Sequence, residues 1–261
     1  MKYLKHLPNF FTLLNLLFGC IAIVYILKID EGIIFVGSYD QLVIKFPPEI
    51  WLGSLFILLA SIVDFFDGFV ARWLSISSEL GKQLDSLSDV VSFGVAPALI
   101  WYQFLNMSFA RINGGLDFSV WFLFPAFLIA VSAAYRLGKF NLDTRQTNYF
   151  IGMPTPAMAI FTASLIPLIW NNTFSIAQYF YNIYLQYFLI LLLAYLMNSD
   201  IQFFSLKSFS KKDLLNWKSI LLALTIVVFF IFFPTLTIPI LFLIYILVSI
   251  LIHKKILRLT K

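Results

Sequence analysis

The sequence has little charge and almost no cysteine or histidine. Only 12% of its 261 residues are charged, about half the share found in an ordinary soluble domain. That scarcity excludes a soluble globular protein and a disordered chain, and a net charge of +5 spread over it offers no basic face for nucleic acid. One cysteine and two histidines exclude an internal disulfide and a zinc site. Cys20 stands in an apolar run and is expected to be buried.

Long apolar runs fill most of the chain instead. Hydrophobic residues make up 61% of the sequence, and the mean hydropathy is +0.91. A membrane-spanning helix needs about 20 mostly apolar residues, so the runs predict an all-α, polytopic transmembrane bundle of about eight helices. The predicted spans are Phe10–Leu27, Ile50–Leu74, Asp85–Asn106, Val120–Phe140, Ile151–Trp170, Tyr181–Asn198, Trp217–Phe233 and Leu236–Ile252.

The positive charges fall on one side of this arrangement. If the N-terminus is cytosolic, every lysine and arginine except Lys28, Lys45 and Arg111 lies in a terminus or hairpin on the cytosolic side. Lysine and arginine are enriched in cytosolic loops. The distribution therefore predicts an integral protein of the inner or plasma membrane with both termini in the cytosol (N-in and C-in).

Four aspartates interrupt the apolar runs at the cytosolic boundary. Asp64 and Asp67 lie three residues apart near the end of the second span, and Asp85 and Asp89 lie four apart at the start of the third. Each pair therefore shares a helix face, and the hairpin between the spans brings the pairs together. Charges near a bilayer core need compensation, and carboxylates with a phosphate-bearing substrate suit Mg²⁺.

Two other interpretations of these carboxylates remain open from the residues alone. The aspartates can form salt bridges with Arg72 and Lys82 in a solvated hairpin, although two cations do not neutralise four carboxylates. They can also line the ion path of a membrane transporter. Transport sites usually lie near the bilayer midplane, whereas these aspartates cluster at one edge.

The spacing of the aspartates follows a fixed pattern, D-x2-D-G-x2-A-R-x8-G-x3-D-x3-D. Its fixed positions are Asp64, Asp67, Gly68, Ala71, Arg72, Gly81, Asp85 and Asp89. At each of them the chain resembles the signature of the CDP-alcohol phosphatidyltransferase family, which transfers a phosphatidyl or phosphoalkyl group from a CDP-linked donor to an alcohol. The resemblance implies two divalent ions, Mg²⁺ or Mn²⁺, on the four aspartates. It also implies that Asp89 is the general base and that the protein is a homodimer.

Small and basic residues of the pattern form the predicted donor site. Gly68 and Ala71 leave room for a nucleotide or its pyrophosphate at the helix surface, although Ala71 can instead serve helix packing. Arg72 can clamp phosphate or anchor the helix at the membrane surface. Gly81 permits a tight return into the third span. Asn9 can bind the nucleotide or can cap the first helix. The predicted nucleotide- and phosphate-binding residues are Asn9, Thr12, Gly68, Ala71, Arg72 and Gly81.

The surrounding sequence resembles one branch of the family, the phosphatidylserine synthases. The likeness is carried by Leu7–Asn15, Asp85–Pro97, Arg136–Asn141 and Phe150–Ala157, with a departure at Gly138–Lys139, where Ala-Arg is commoner. It implies CDP-diacylglycerol as the donor and L-serine as the acceptor, with phosphatidylserine and CMP as products. The same transfer to glycerol 3-phosphate or an inositol phosphate is an alternative.

A serine site needs a cation for the carboxylate and a base for the hydroxyl. The predicted acceptor-binding residues are Ser92, Arg136, Lys139 and Arg145. The three cations can equally determine topology, and Ser92 can bond to its own helix backbone.

Residues 1–200 are predicted to hold the transferase core of about six helices, with its active site facing the cytosol, and residues 201–261 a C-terminal transmembrane hairpin.

Overall fold

Helices dominate the computed structural model, which describes residues 7–28, 34–36, 42–44, 49–74, 78–112, 118–142, 149–172, 175–204, 225, 227 and 229–259. The helices are α1 Leu7–Leu27, α2 Ile50–Leu74, α3 Glu79–Asp89, α4 Ala96–Ala110, α5 Leu128–Leu142, α6 Thr155–Trp170, α7 Ile176–Phe180, α8 Ile183–Asn198 and α9 Pro234–Leu259. Four short strands, β1 Ile34–Val36, β2 Leu42–Ile44, β3 Tyr149–Ile151 and β4 Gln202–Phe204, pair as β1–β2 and β3–β4.

The helices confirm the predicted class, an all-helical membrane protein. Within the described ranges, five helical segments are long and apolar enough to cross a membrane: Pro8–Leu27, Ile50–Leu74, Glu79–Ala110, Val120–Leu142 and Pro234–Leu251. Helices α6 and α8 are apolar but shorter. The total of eight spans and the N-in, C-in orientation remain predictions. Most of the predicted seventh span, Trp217–Phe233, lies outside the described residues.

The third span begins earlier than its hydropathy predicts. It starts at Glu79 rather than Asp85, because Ser78 caps α3 by accepting the N–H of Gly81 over 2.9 Å. After Asp89 the chain makes a π-helical turn, Val90–Val95, before α4. Pro97 has no N–H to donate to the preceding turn, and Ala96 instead donates to the carbonyl of Val91, five residues back. The span thus carries Asp85 and Asp89 on its polar N-terminal segment.

Small residues let α1 pack closely against its neighbours. A Cβ at Gly53 of α2 would lie 2.5 Å from a side-chain carbon of Ile26, and one at Gly19 would overlap the Ser92 side chain.

The expectation that Cys20 is buried is wrong, because this residue is exposed on the protein surface. In a bilayer, lipid and protein are both apolar surroundings, so an apolar run does not reveal which side chains face the interior.

Short strands and the last helix complete the bundle around the site. The predicted fifth span begins at Thr155 instead of Ile151, because Tyr149–Ile151 pair with Gln202–Phe204 in an antiparallel ladder. Helix α9 packs against α6, where the rings of Phe161 and Phe242 stack with centroids 4.1 Å apart. The last helix is therefore part of the same bundle as the helices before residue 200.

Candidate active site

A large cavity of about 1050 Å³ opens among α1, α2, α3, α5, α6 and α9. Its polar side carries the residues of the aspartate pattern in α2 and α3, and α6 and α9 supply most of its apolar side. The apolar lining residues that α6 and α9 supply include Ala157, Ile160, Phe161, Ile238, Leu241 and Phe242. A cavity with one polar and one apolar wall suits an amphipathic ligand with a charged head group.

Three aspartates meet at the polar wall. One carboxylate oxygen from each of Asp64, Asp85 and Asp89 lies within 4.8 Å of the others. Asp64 reaches this point from α2, and the other two come from successive turns of α3. Asp89 is 7% exposed, so its carboxylate is largely withdrawn from water. The hairpin thus brings together carboxylates from two helices, as their spacing predicts.

Asp67 lies outside this group of three, although it lines the same cavity. Its carboxylate accepts a hydrogen bond from the Thr12 hydroxyl of α1. Thr12 Oγ1 also lies 3.1 Å from the carbonyl oxygen of Pro8. The predicted four-aspartate cluster is therefore arranged as three grouped carboxylates and one that is bonded to α1.

The three carboxylates fit a hard divalent cation. Like charges this close repel one another, and oxygen donors of this kind are the ligands that Mg²⁺ and related ions prefer. In the described part of the chain, neither Arg72 nor Lys82 forms a salt bridge with an aspartate. The solvated hairpin with internal salt bridges is therefore not the arrangement found.

Polar contacts from α1 hold the start of the third span in place. Asn15 Nδ2 donates to Asp89 Oδ1 over 3.2 Å. Ser88 Oγ donates to the carbonyl of Thr12 over 3.1 Å, and Ser92 Oγ donates to the carbonyl of Asn15 over 3.0 Å. All of these side chains are almost fully buried, so α1 fixes the position of Asp89 from behind the cavity.

All six predicted nucleotide-binding residues line the cavity: Asn9, Thr12, Gly68, Ala71, Arg72 and Gly81. A Cβ at Gly81 would lie 2.9 Å from Ser78 Oγ and 3.2 Å from Asn9 Oδ1, so glycine is needed for this close approach. Asn9 lies inside the first turn of α1 rather than before it, which removes the alternative that it caps this helix. Arg72 is exposed at the cavity mouth.

The predicted acceptor residues separate in the structure. Arg136 lines the cavity and is 6% exposed. Lys139 lies outside the cavity lining, where its Nζ is 3.6 Å from a carboxylate oxygen of Asp200. Ser92 is fully buried behind the wall and bonds to the backbone of α1 instead of its own helix. Arg145 lies outside the described residues.

Several wall residues were not identified from the sequence. Asn141 Nδ2 donates to Ser86 Oγ over 2.8 Å, and both residues line the cavity. Tyr245 of α9 also lines the cavity and is close enough to Arg136 for an electrostatic interaction. Asn15, which contacts Asp89, is the last residue of Leu7–Asn15, one of the stretches that carry the family resemblance. Hydropathy alone contains no signal for Tyr245, because its partner is more than 100 residues away along the chain.

Comparisons with known proteins agree with the residues of the cavity. The model of the CDP-alcohol phosphatidyltransferase family matches residues 5–197. The match therefore includes the aspartate pattern, Arg136 and most of the cavity wall, while α9 lies beyond its end.

The relatives that match the chain include bacterial and archaeal proteins with names that state an activity. A CDP-diacylglycerol–serine O-phosphatidyltransferase of Helicobacter pylori (strain ATCC 700392 / 26695) is 32% identical over 198 residues, covering 75% of this chain and 70% of the relative. One of the same name from Methanocaldococcus jannaschii is 34% identical over 155 residues, covering 59% and 65%. An archaetidylserine synthase of Methanothermobacter thermautotrophicus is 32% identical over 161 residues, covering 60% and 56%. For the two archaeal relatives, the chain spans less than two thirds of their own length.

Proposed function

The chain belongs to the CDP-alcohol phosphatidyltransferase family, and from that membership we propose that it transfers the phosphatidyl group of CDP-diacylglycerol to the hydroxyl of L-serine. The products are phosphatidylserine and CMP. The observation that carries the proposal is the meeting of Asp64, Asp85 and Asp89 within 4.8 Å. This group faces a cavity whose other wall is apolar, a combination that suits a lipid with a charged head group.

The donor is bound with its head group at the polar wall and its acyl chains toward the apolar wall. Gly68 and Ala71 expose the surface of α2 to the cavity, so the pyrophosphate can approach the helix closely. Arg72 lies at the mouth and can form two parallel hydrogen bonds with a phosphate. Asn9 and Gly81 meet at the opposite side, where the nucleotide is accommodated.

Arg136 supports serine as the acceptor. It is a buried cation on the cavity wall and lies within electrostatic range of Asp89. A guanidinium in this position can hold the serine carboxylate while the hydroxyl points toward the aspartates. Lys139 and Arg145 remain candidates by prediction only, and Ser92 contributes through its bond to α1.

The transfer is a direct displacement at phosphorus. The serine hydroxyl oxygen forms a bond to the phosphatidyl phosphorus, and the bond from that phosphorus to the oxygen of CMP breaks. Asp89 accepts the hydroxyl proton, and Asn15 orients its carboxylate by donating to Oδ1. Direct attack inverts the configuration at phosphorus.

The grouped aspartates are the residues that would hold divalent metal, and two ions, Mg²⁺ or Mn²⁺, are part of the proposal. Metal held there would polarise the phosphoryl oxygens as a Lewis acid and would offset the negative charge of CMP. Asp67 either is a further metal ligand or holds α1 against the site by accepting the hydrogen bond from Thr12. A cytosolic active site and a homodimer complete the proposal.

Two rival functions follow from the same residues. Glycerol 3-phosphate and inositol phosphates carry a phosphate dianion, which calls for a denser basic site near the aspartates. Of the described cavity-lining residues, the cations are Arg72, Lys82 and Arg136, and the first two are exposed. A transporter of cations or small molecules would move solute across vesicles without releasing CMP, and family membership favours the transferase.

Release of CMP against a panel of acceptors tests this function. Purified protein receives CDP-diacylglycerol, Mg²⁺ or Mn²⁺, and labelled L-serine, glycerol 3-phosphate or an inositol phosphate. We expect CMP and labelled phosphatidylserine only with serine. Labelled product with glycerol 3-phosphate and none with serine would reject the acceptor assignment and keep the transfer chemistry. Solute flux without CMP would reject both.

A substitution of Asp89 tests its role as the base. Asp89→Asn should retain binding of CDP-diacylglycerol and lose transfer by about 10²–10⁴-fold. Asp64→Asn or Asp85→Asn should instead weaken metal and nucleotide binding together. Asp200→Asn is the matched control, because the Asp200 side chain is 90% exposed and lies outside the cavity lining. Near-normal turnover of Asp89→Asn would contradict the mechanism.

A further inference from the structure

A second, much smaller cavity lies behind Arg136, on the side away from the aspartates. Its volume is about 10 Å³, and it is lined by Arg136, Lys139, Phe140, Ile151, Met197, Asn198 and Ser199. A space of about this size accommodates one water molecule. Arg136 lines both this cavity and the large one, so this residue lies between the two.

Two buried polar atoms of opposite hydrogen-bonding character belong to residues of this small cavity. Arg136 Nε is a buried donor without a hydrogen-bond partner, and Asn198 Oδ1 is a buried acceptor without one. Leaving such groups unsatisfied costs about 1–3 kcal/mol each, and more for a charged group. A single water between them would accept from the guanidinium and donate to the amide oxygen.

The orientation of the Asn198 amide is fixed by its neighbours. Asn198 Nδ2 lies 3.2 Å from the carbonyl oxygen of Ser132 on α5 and 3.2 Å from that of Ala194 on α8. Both neighbours are acceptors, so the nitrogen must occupy this side of the amide and the oxygen the other. The amide therefore links α5, which carries Arg136, to α8.

The backbone around Asn198 is held as firmly as its side chain. Met153 N–H donates to the carbonyl of Leu196 over 2.9 Å, and Gly152 N–H donates to that of Ile201 over 2.9 Å. Gly152 has a φ of +75°, and a Cβ there would overlap the carbonyl of Met197. The end of α8 is therefore fixed against the connection between β3 and α6.

We propose that Asn198, through one buried water in this cavity, is a positioning residue that holds the Arg136 guanidinium toward the large cavity. It does not touch the substrate. Its effect on the reaction rests on the proposed function, in which Arg136 holds the serine carboxylate. Loss of the acceptor oxygen removes one of the contacts that orient the guanidinium, so binding of serine weakens while binding of the lipid donor does not.

Two substitutions at Asn198 separate the acceptor oxygen from the other contacts. Asn198→Leu and Asn198→Asp both lose the amide hydrogens that face α5 and α8, but only the aspartate keeps oxygen atoms toward Arg136. We expect Asn198→Leu to raise the serine KM about tenfold while the KM for CDP-diacylglycerol changes little. Asn198→Asp should keep the serine KM within a few-fold of the wild-type value.

Gln186→Leu is the matched control on the same helix. Gln186 is fully buried, and its Nε2 donates to Ser108 Oγ over 2.8 Å and to the carbonyl of Phe180 over 2.9 Å. This variant should lower thermal stability without changing the serine KM. Equal serine KM values for Asn198→Leu and Asn198→Asp, both raised, would overturn the proposal and make Asn198 a packing residue between α5 and α8.

An experimental structure that resolves ordered water distinguishes failure of this proposal from failure of the proposed function. Density for a water between Arg136 Nε and Asn198 Oδ1, present in wild type and lost in Asn198→Leu, supports the positioning role even if serine is not the acceptor. In that case the KM of the true acceptor is compared instead. A direct Arg136–Asn198 contact or an empty space in the wild-type density would overturn the water site.

Discussion

Replacing Asn15 with leucine tests how strongly α1 supports the catalytic aspartate. Asn15 is 1% exposed, and its Nδ2 donates to Asp89 Oδ1 over 3.2 Å. Its own Oδ1 is buried without a partner, and the bond from Ser92 goes to the Asn15 backbone carbonyl. Leucine has the same branched shape, so Asn15→Leu removes one contact to the carboxylate and leaves the helix packing in place.

The size of the effect follows from that single hydrogen bond. The bond holds the Asp89 carboxylate in the orientation that accepts the proton, and losing that orientation costs at most the free energy of the bond, about 1.5–3 kcal/mol for a hydrogen bond to a charged group. Every 1.36 kcal/mol lost from transition-state stabilisation lowers the rate about tenfold. Asn15→Leu should therefore reduce kcat for CMP release by about 10- to 150-fold. Folding should change little, because the substitution also removes the unpartnered Oδ1.

The measurement is the rate of CMP release at saturating donor and serine, with thermal stability recorded for the same preparation. Gln103→Leu is the control, since Gln103 is another amide at 1% exposure, and its Nε2 donates to the carbonyl of Ile26 over 3.0 Å, away from the cavity. We expect the control to lose stability and keep kcat. If Asn15→Leu and Gln103→Leu have the same kcat, the contact to Asp89 has no role in turnover.

Three further predictions concern the metal, the donor site and the orientation. EDTA should abolish CMP release, because the grouped carboxylates then repel one another, and added Mg²⁺ or Mn²⁺ should restore it; full activity in EDTA contradicts the metal site. Gly81→Ala should raise the KM for CDP-diacylglycerol severalfold, because its Cβ would press on Ser78 and Asn9. Gly138→Ala, where a Cβ meets nothing within 4 Å, should leave that KM unchanged, and an equal effect of both would refute the steric argument. A reporter fused after Lys261 should be cytosolic, and a signal from the opposite side would mean an odd number of spans.

Local features of the sequence predicted much of the fold and the centre of the site. The second helix has the predicted bounds, Ile50–Leu74, because its ends coincide with changes in hydropathy. The spacing of Asp64, Asp85 and Asp89 placed them on facing helices, since helical periodicity and a short hairpin are sufficient for that inference. Hydropathy missed the start of α3 at Glu79, because its first turns are polar and only the Ser78 cap indicates them.

Contacts between distant helices could not be predicted from one sequence. The bond from Asn15 to Asp89 joins residues 74 positions apart, and helical periodicity does not specify which helices become neighbours. The same limit explains the acceptor residues. Arg136 and Lys139 are both cations near the end of α5, yet one lines the cavity and the other pairs with Asp200. A difference of three positions along α5 is enough to give these two side chains different surroundings.

The shortness of α6 and α8 has a consequence for the surrounding lipid. Each helix has 16 residues and is therefore about 24 Å long, whereas the hydrocarbon core of a bilayer is about 30 Å thick. If both helices span the membrane as predicted, the bilayer beside the exposed face of α8 becomes thinner, or the adjoining strands β3 and β4 lie within its polar edge. The backbone bonds of Gly152 and Met153 allow such entry, because their N–H groups are already satisfied.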